Sequence, residues 1–387
     1  MKSGNRLAII LAITFIHQIL IADNFIERLR VPIKLSYSSS FGYDSNIFRL
    51  SDLERNQYYK DAHNINIITP DAAFNGTYIS PKINIKYIPY LIDWLTTEFK
   101  FSFNRNMYIS IPEKSYSVIN SEFGIKLGSY RWIKFSHRYL PKYYLRNYKD
   151  RDYSLNDYHQ AIFSSESFRI SYSHPINRKI WSRIRYSRTN LYYNDHFTEY
   201  DIVNDEIESR LYFKVYKFDN NLSYSFSASN NTLDNINSEA SNFDRSYKEH
   251  IYGINAKRRI KKLSYIDNFG MSLIVKHRKY VDFWSFYDFN YVEDEFLLDH
   301  SVPDVLHHGR EDIEYNFSVW ARNKISKSFS HEIKFKYRSK DPNSMFKIPY
   351  TNGMGTIEEV SIGDLKEFSK FEIIYKIVCN TNLDILY

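Results

Sequence analysis

Between Ile33 and Tyr387 the chain returns about a dozen times to one pattern, a run of roughly ten residues in which apolar and polar side chains alternate. Ile333, Phe335 and Tyr337 fall on one parity, and Glu332, Lys334, Lys336 and Arg338 on the other. Leu222, Tyr224, Phe226 and Ala228 alternate with Ser223, Ser225 and Ser227. Successive side chains of a strand point to opposite faces, so each run is a ribbon with one apolar and one wet side. An apolar face rich in Tyr and Phe, opposite a charged face, predicts an all-β chain forming a single antiparallel transmembrane β-barrel.

The pattern marks candidate strands near 33–43, 78–88, 94–103, 118–128, 130–140, 161–174, 179–189, 207–216, 221–229, 247–259, 266–278, 313–325, 330–339 and 369–379. Their lengths fit the roughly 9–11 tilted residues that cross a bilayer. Tight links such as Gly128-Ser129 and residues 326–329 alternate with long polar segments such as 44–77, 141–160 and 279–312. That alternation predicts short periplasmic turns at one end and long extracellular loops at the other. About 14 strands are expected, with a range of 12–16 because residues 280–291 could hold a further hairpin. At the C-terminus Phe371, Ile373, Tyr375, Ile377 and Cys379 share one parity, and the chain stops on Tyr387. That ending resembles the terminal-strand signal read by barrel-assembly machinery, which is therefore an expected partner during biogenesis.

Composition agrees with strands: the 387 residues include 35 Tyr and 28 Phe but only 11 Gly and 10 Pro. A mean hydropathy of −0.50 does not argue against a membrane, because half of every barrel strand is polar. The lone Cys379 excludes an internal disulfide framework. Lys2 and Arg6 precede an apolar run over residues 7–21, so 1–22 reads as a signal peptide and 23–387 as the exported outer-membrane barrel. A soluble one-sided sheet is the competing fold; it would have to bury the Tyr/Phe faces against each other.

The polar parity carries the candidate chemistry. Lys100, Lys134, Arg138, Arg169, Arg183, Arg185, Arg210, Lys214, Arg322, Lys334, Lys336 and Arg338 fall on the lumen side, against fewer acids in Glu98, Glu208, Glu314 and Glu332. With a formal charge of +7, such a wall would concentrate anions in a low-dielectric tube. Alternatively the cations pair with lumen and loop carboxylates and merely keep the interior wet. A second candidate is the acidic segment holding Glu293, Asp294, Glu295 and Asp299, followed by His300, His307 and His308. It could fold inward as a constriction, hold a divalent cation, or stay a solvated loop. Trp94, Trp132, Trp181, Trp284 and Trp320 are candidates for interfacial girdles or, on parity, for lumen platforms.

No G-x-S-x-G elbow, H-E-x-x-H, phosphate loop or Cys pair occurs, and no catalytic residue, metal ligand or cofactor is expected. His137 and His174 near serines leave a strand-assembled hydrolase conceivable only through spatial geometry. Nucleic acid is not an expected partner of an exported chain.

Residues 41–52, FGYDSNIFRLSD, resemble the opening strand and first loop of β-barrel porins of Gram-negative bacteria. The resemblance implies passive passage of small, here anionic, solutes through the bacterial outer membrane, among lipid and lipopolysaccharide. Related openings occur in barrels that export polysaccharide or lipoprotein with a periplasmic partner. A barrel that is structural or adhesive through its long loops is the third expectation.

Overall fold

A computed structural model describes residues 28–29, 31–60, 73–91, 95–129, 131–149, 158–232, 245–260, 266–281, 284–287, 300–303, 307–351 and 357–383. The signal segment, Trp94, the acidic residues Glu293, Asp294, Glu295 and Asp299, and the terminal Tyr387 lie outside them.

Among the described residues eighteen strands occur in chain order, and fourteen of them build the barrel. These are β1 (Ile33–Asp44), β2 (Gly76–Tyr87), β3 (Thr96–Tyr108), β4 (Tyr116–Lys126), β5 (Trp132–Lys149), β6 (Tyr158–Pro175) and β7 (Ile180–Tyr193), then β8 (Ile202–Val215), β9 (Phe218–Asn231), β10 (Tyr247–Arg259) and β11 (Asn268–Tyr280). After two short strands, β12 (Trp284–Tyr287) and β13 (His300–Pro303), the wall resumes with β14 (Glu311–Lys324) and β15 (Phe329–Asn343). A second short pair, β16 (Lys347–Thr351) and β17 (Ile357–Ser361), precedes the last strand, β18 (Phe368–Leu383). Each barrel strand pairs antiparallel with its neighbours, and β18 closes on β1 from Ile33 opposite Leu383 to Asp44 opposite Glu372. Closure leaves no unpaired strand edge, which is what a sheet in lipid requires.

Every one of the fourteen runs read from the alternation is a barrel strand. Of the ambiguous residues 280–291, Trp284–Tyr287 form the strand β12, which pairs with β13 beyond that region in a separate two-stranded sheet outside the barrel wall.

The exposed face is apolar. Tyr37 and Phe41, Phe99 and Phe101, Phe168 and Ile170, Tyr315 and Phe317, and Ile373 and Tyr375 are each 38–55% exposed. Among the described residues nothing packs over them as a second layer, and the sheet closes on itself, so the barrel and not the sandwich is the fold. Cross-strand aromatic contacts knit this surface: Phe99 meets Phe123 at 4.9 Å between ring centroids, and Tyr224 meets Tyr252 at 5.4 Å.

The short turns satisfy their own backbone. Asn177 Oδ1 accepts from the Lys179 and Ile180 amides at 2.8 and 2.9 Å, and Ser326 Oγ accepts from Ser328 and Phe329 at 3.2 and 3.0 Å. Gly128 takes φ 76° in the β4–β5 turn, a conformation that suits a residue without Cβ. The long strands β5 and β6 slip register twice, between Leu140 and Tyr143 and between Tyr144 and Asn147. Pro141 stands in the first slip, where its missing N–H breaks no ladder bond.

Candidate functional site

All twelve basic residues singled out in the sequence lie on the parity opposite the exposed aromatics, and so on the inner face. Most are paired. Glu98, on β3 near the short-turn end, takes Lys86 and Lys100, and Lys134 approaches it at 3.5 Å. Glu122 on β4 takes the same Lys100 and Lys134 at 3.0 and 2.8 Å. Further round the wall Glu208 holds Arg183, Arg185 and Arg210 at 2.9, 3.0 and 2.8 Å, and Glu206 adds Arg185 at 2.8 Å. Arg322 pairs with Glu332, Lys336 with Glu372 and Arg338 with Glu314 at 2.5, 3.0 and 2.5 Å. Lys214 meets Asp219 at 3.2 Å beside the β8–β9 turn, and both are more than half exposed. Arg138, Arg169 and Lys334 have no carboxylate within ion-pair distance among the described residues; Arg169 Nε donates to Ser167 at 3.3 Å. Pairing and surplus therefore coexist: each acid serves up to three cations.

Trp132, Trp181 and Trp320 also face inward, near the short-turn end, and not toward a girdle. Trp181 stacks on Tyr212 at 5.1 Å and 4°, with Arg183 over the Tyr212 ring, while Lys257 and Arg322 lie over Trp320. Gly270 makes room there: a Cβ on it would come within 2.5 Å of the Trp320 ring.

The opposite half of the lumen is narrowed by the first long loop. Asp44 Oδ1 accepts from the Asn46 amide at 3.0 Å, and Asp44 Oδ2 accepts from Lys370 Nζ at 2.6 Å. Ser45 Oγ accepts from the Phe371 amide at 2.8 Å. Asn46 is fully buried; its Oδ1 accepts from Leu50 N at 2.8 Å and its Nδ2 donates to Leu50 O at 2.8 Å and Ser369 O at 3.2 Å. The turn so pinned puts Arg49 at φ 56°, a left-handed backbone costly for a residue that carries a Cβ and stable only when its surroundings fix it. It also sends Ile47, Phe48 and Leu50 inward, where they join Phe74, Ile111 and Tyr144 in a small apolar core. Helix α1 (Asp52–Lys60) follows, capped by Ser51, whose Oγ accepts from the Glu54 amide while Glu54 returns to the Ser51 amide at 2.8 Å. Glu54 then takes Arg146 of β5 in a buried pair at 3.0 Å. Helix α2 (Ile362–Lys366) enters from the last loop and touches α1.

Between these inserts and the wall lies a cavity of about 400 Å³. Among the described residues its lining counts ten Arg or Lys side chains, three Asp or Glu and six Tyr. Only Arg338 of these ten is among the twelve read from sequence. Lys340 could have been found, because it continues the inward parity of Lys334, Lys336 and Arg338. Arg49, Lys114, Arg245 and Lys366 sit in loops, where alternation carries no information.

The first loop narrows the lumen, while Glu293, Asp294, Glu295 and Asp299, for which a constriction, a cation site or a solvated loop was expected, fall outside the described residues. The tail of that segment does turn in: His307 packs on Tyr280 at 5.1 Å, and the buried Asp312 takes Arg310 and Lys340 at 3.0 and 2.8 Å. His137 and His174 both share the parity of the outward aromatics: His137 lies against Phe168 with Nε2 2.8 Å from Glu166, and His174 meets the Tyr172 hydroxyl at 3.1 Å.

No family model and no curated protein matches this chain. Solved structures similar to it include an anion-selective porin from Comamonas acidovorans (7% identity, TM-score 0.40, covering 90% of this chain and 98% of that one). OmpT, an outer membrane protein of Vibrio cholerae, is similar at 8% identity and TM-score 0.39 over 90% of this chain and 97% of its own. A bacterial polysaccharide outer membrane secretin is similar at 9% and 0.38 over 90% and 98%.

Proposed function

We propose that the mature chain is a passive channel of the bacterial outer membrane that favours small anions. The observation that carries this reading is the division of the barrel wall: exposed Tyr, Phe and aliphatic side chains outside, and an inner face on which Arg and Lys outnumber the acids they meet. An exposed apolar belt on a closed sheet fits lipid, and lipopolysaccharide fits the outer leaflet around it. Residues 1–22 act as the export signal, and the assembly machinery of the outer membrane inserts the barrel through β18. The barrel works without a catalytic step; its His–carboxylate pairs on β5–β6 and β11–β14, among the described residues, point outward from the lumen.

The test is conductance of the purified barrel in planar bilayers under a salt gradient. The reversal potential is expected on the anion side and shifts toward cations in Arg183→Glu and Lys334→Glu. A folded barrel that carries no current, or one that prefers cations, refutes the proposal. The first loop favours a narrow channel over a wide export pore, because its apolar core occupies lumen that a polymer would need.

A further inference from the structure

We propose that the cavity beneath the first loop is a saturable site for a phosphorylated sugar, with Arg49, Lys114, Arg245 and Lys366 holding the phosphate and tyrosines facing the sugar. The inference rests on the channel reading and adds a substrate class to it.

The argument starts from how these four cations are held. Lys114, in the turn Pro112–Lys114, donates to the Tyr144 and Leu145 carbonyls at 2.8 and 2.5 Å and lies 4.9 Å from the Phe48 ring centroid. Arg245 donates to the Tyr193 hydroxyl at 2.8 Å and lies over the Tyr193 and Tyr200 rings, 5.6 Å from each centroid. Lys366 of α2 sits 5.7 Å from the Tyr148 centroid, and Arg49 sits 5.8 Å from that of Phe368. Carbonyls and ring faces orient a cation without cancelling its charge. Among the described residues, none of the four has a carboxylate within ion-pair distance, whereas Arg146, Arg278, Arg310, Arg338 and Lys340 on the same wall do. The local field shows in the groups outside the wall strands. Burial pushes the Lys114 ammonium well below its ordinary range, and Arg49, Arg146 and Lys370 push it further. Burial takes Lys366 down to about 8, opposed by Tyr148 but helped by Arg146 and Arg310.

Among the described residues the cavity carries more positive than negative charge, which an anion would balance. Its volume falls in the range of small-molecule pockets, roughly 300–1,000 Å³. A phosphate puts two negative charges on one tetrahedral centre, which suits guanidinium forks and ammonium points converging from different loops. Tyr148, Tyr193, Tyr200 and Tyr247 supply ring faces and hydroxyls suited to a polyol, beside apolar side chains such as Phe163 and Leu191 that suit the sugar's carbon face.

The experiment records single-channel current in chloride with the full-length mature barrel, adding glucose 6-phosphate, glucose or inorganic phosphate, and repeats each titration by calorimetry in detergent. Glucose 6-phosphate is expected to interrupt the current reversibly and to release heat. Glucose is expected to do neither, and inorganic phosphate to act about ten-fold more weakly, since it lacks the ring contacts. Arg245→Gln and Lys366→Gln should each weaken glucose 6-phosphate about ten-fold, the loss of one charge-assisted hydrogen bond. Lys327→Gln, on an exposed short turn, should not. A conducting, folded barrel that neither blocks nor titrates with glucose 6-phosphate overturns the site and leaves the channel reading standing. Equal block by inorganic phosphate overturns the sugar assignment, and unchanged affinity in both glutamine variants overturns the placement. Heat of binding without any chloride conductance would instead keep the site and remove the channel.

Discussion

Arg183 on β7 and Arg210 on β8 stand directly opposite each other in the strand register, and both guanidiniums close on the one carboxylate of Glu208. Like charges facing across a ladder repel, so the arrangement persists only because Glu208, 5% exposed at its side chain, sits between them with Arg185 as a third partner. Glu208→Gln should therefore cost more than an ordinary lumen substitution. The Arg side chains are about a quarter exposed to lumen water, which moderates the loss, and we expect about 1–3 kcal/mol rather than the full cost of breaking a dry pair. A lowered urea midpoint for unfolding from lipid vesicles, with anion preference raised by the freed charge, is the expected result. An unchanged midpoint would mean that lumen water already screens the cluster.

Asn46 carries a different kind of weight. It is the last polar residue of the Tyr43-Asp44-Ser45-Asn46 element, and its amide bonds both backbone groups of Leu50 and the Ser369 carbonyl. Asn46→Ala leaves buried Leu50 groups unsatisfied, at about 1–3 kcal/mol each, with the strained Arg49 backbone next to them. That loss falls on the contacts that pin the turn to β18, so the first loop should lift from the lumen more often. The expected readouts are a higher unit conductance and faster proteolytic nicking after Arg49 or Arg55, with the barrel's resistance to detergent unchanged. Wild-type conductance in the variant would remove the loop as the constriction.

The strands were legible because period-two alternation survives wherever one face meets lipid and the other water. Phe335 between Lys334 and Lys336 is enough to assign a strand and its two faces. The same logic placed Arg183 and Lys334 inside, and it offered the lumen as one of two positions for Trp132, Trp181 and Trp320, the one the structure shows. What lay beyond reach was the upper lumen. Asp44, Ser45 and Asn46 read as an ordinary strand exit, since the same side chains that end a strand can turn a loop inward. The difference lies in partners more than 300 residues away, Lys370, Ser369 and Phe371, which become neighbours only when β18 closes on β1. Arg245 and Lys366 were invisible for the same reason: loops have no period, and their convergence depends on closure.

The outward position of the apolar parity can be tested at one residue. Phe335 lies mid-strand on β15 and is 37% exposed, between outward Ile333 and Tyr337. Phe335→Arg should destabilise the barrel in vesicles by roughly 2–4 kcal/mol, as expected for a cation near the bilayer midplane. Its sequence neighbour Lys334 faces the lumen, and Lys334→Gln should leave folding within about 0.5 kcal/mol of wild type, as an ordinary wet-face change does. If Phe335→Arg folded as well as Lys334→Gln, the aromatic face would not be meeting acyl chains.

The cavity charge should also titrate. Lys366, half-buried on α2, has its ammonium pushed down to about 8, chiefly by burial and then by Arg146 and Arg310 against the opposing pull of Tyr148. In an unfolded chain a lysine holds its proton to about 10.4. The folded barrel therefore releases this proton first, and the unfolded state binds more protons between pH 8 and about 10.4, so stability rises with pH across that window. Selectivity moves the other way. As Lys366 neutralises, the cavity loses positive charge, and the anion preference measured by reversal potential should fall through a step centred near pH 8. Lys366→Arg keeps the charge throughout this range and should shrink the step while preserving the preference at pH 7. Lys366→Gln should show the lower preference already at pH 7, with a smaller step above it. A step of undiminished size in Lys366→Arg would assign the titration to other groups of the lining, the Tyr148 and Tyr280 hydroxyls first, and remove Lys366 from the set that governs anion passage.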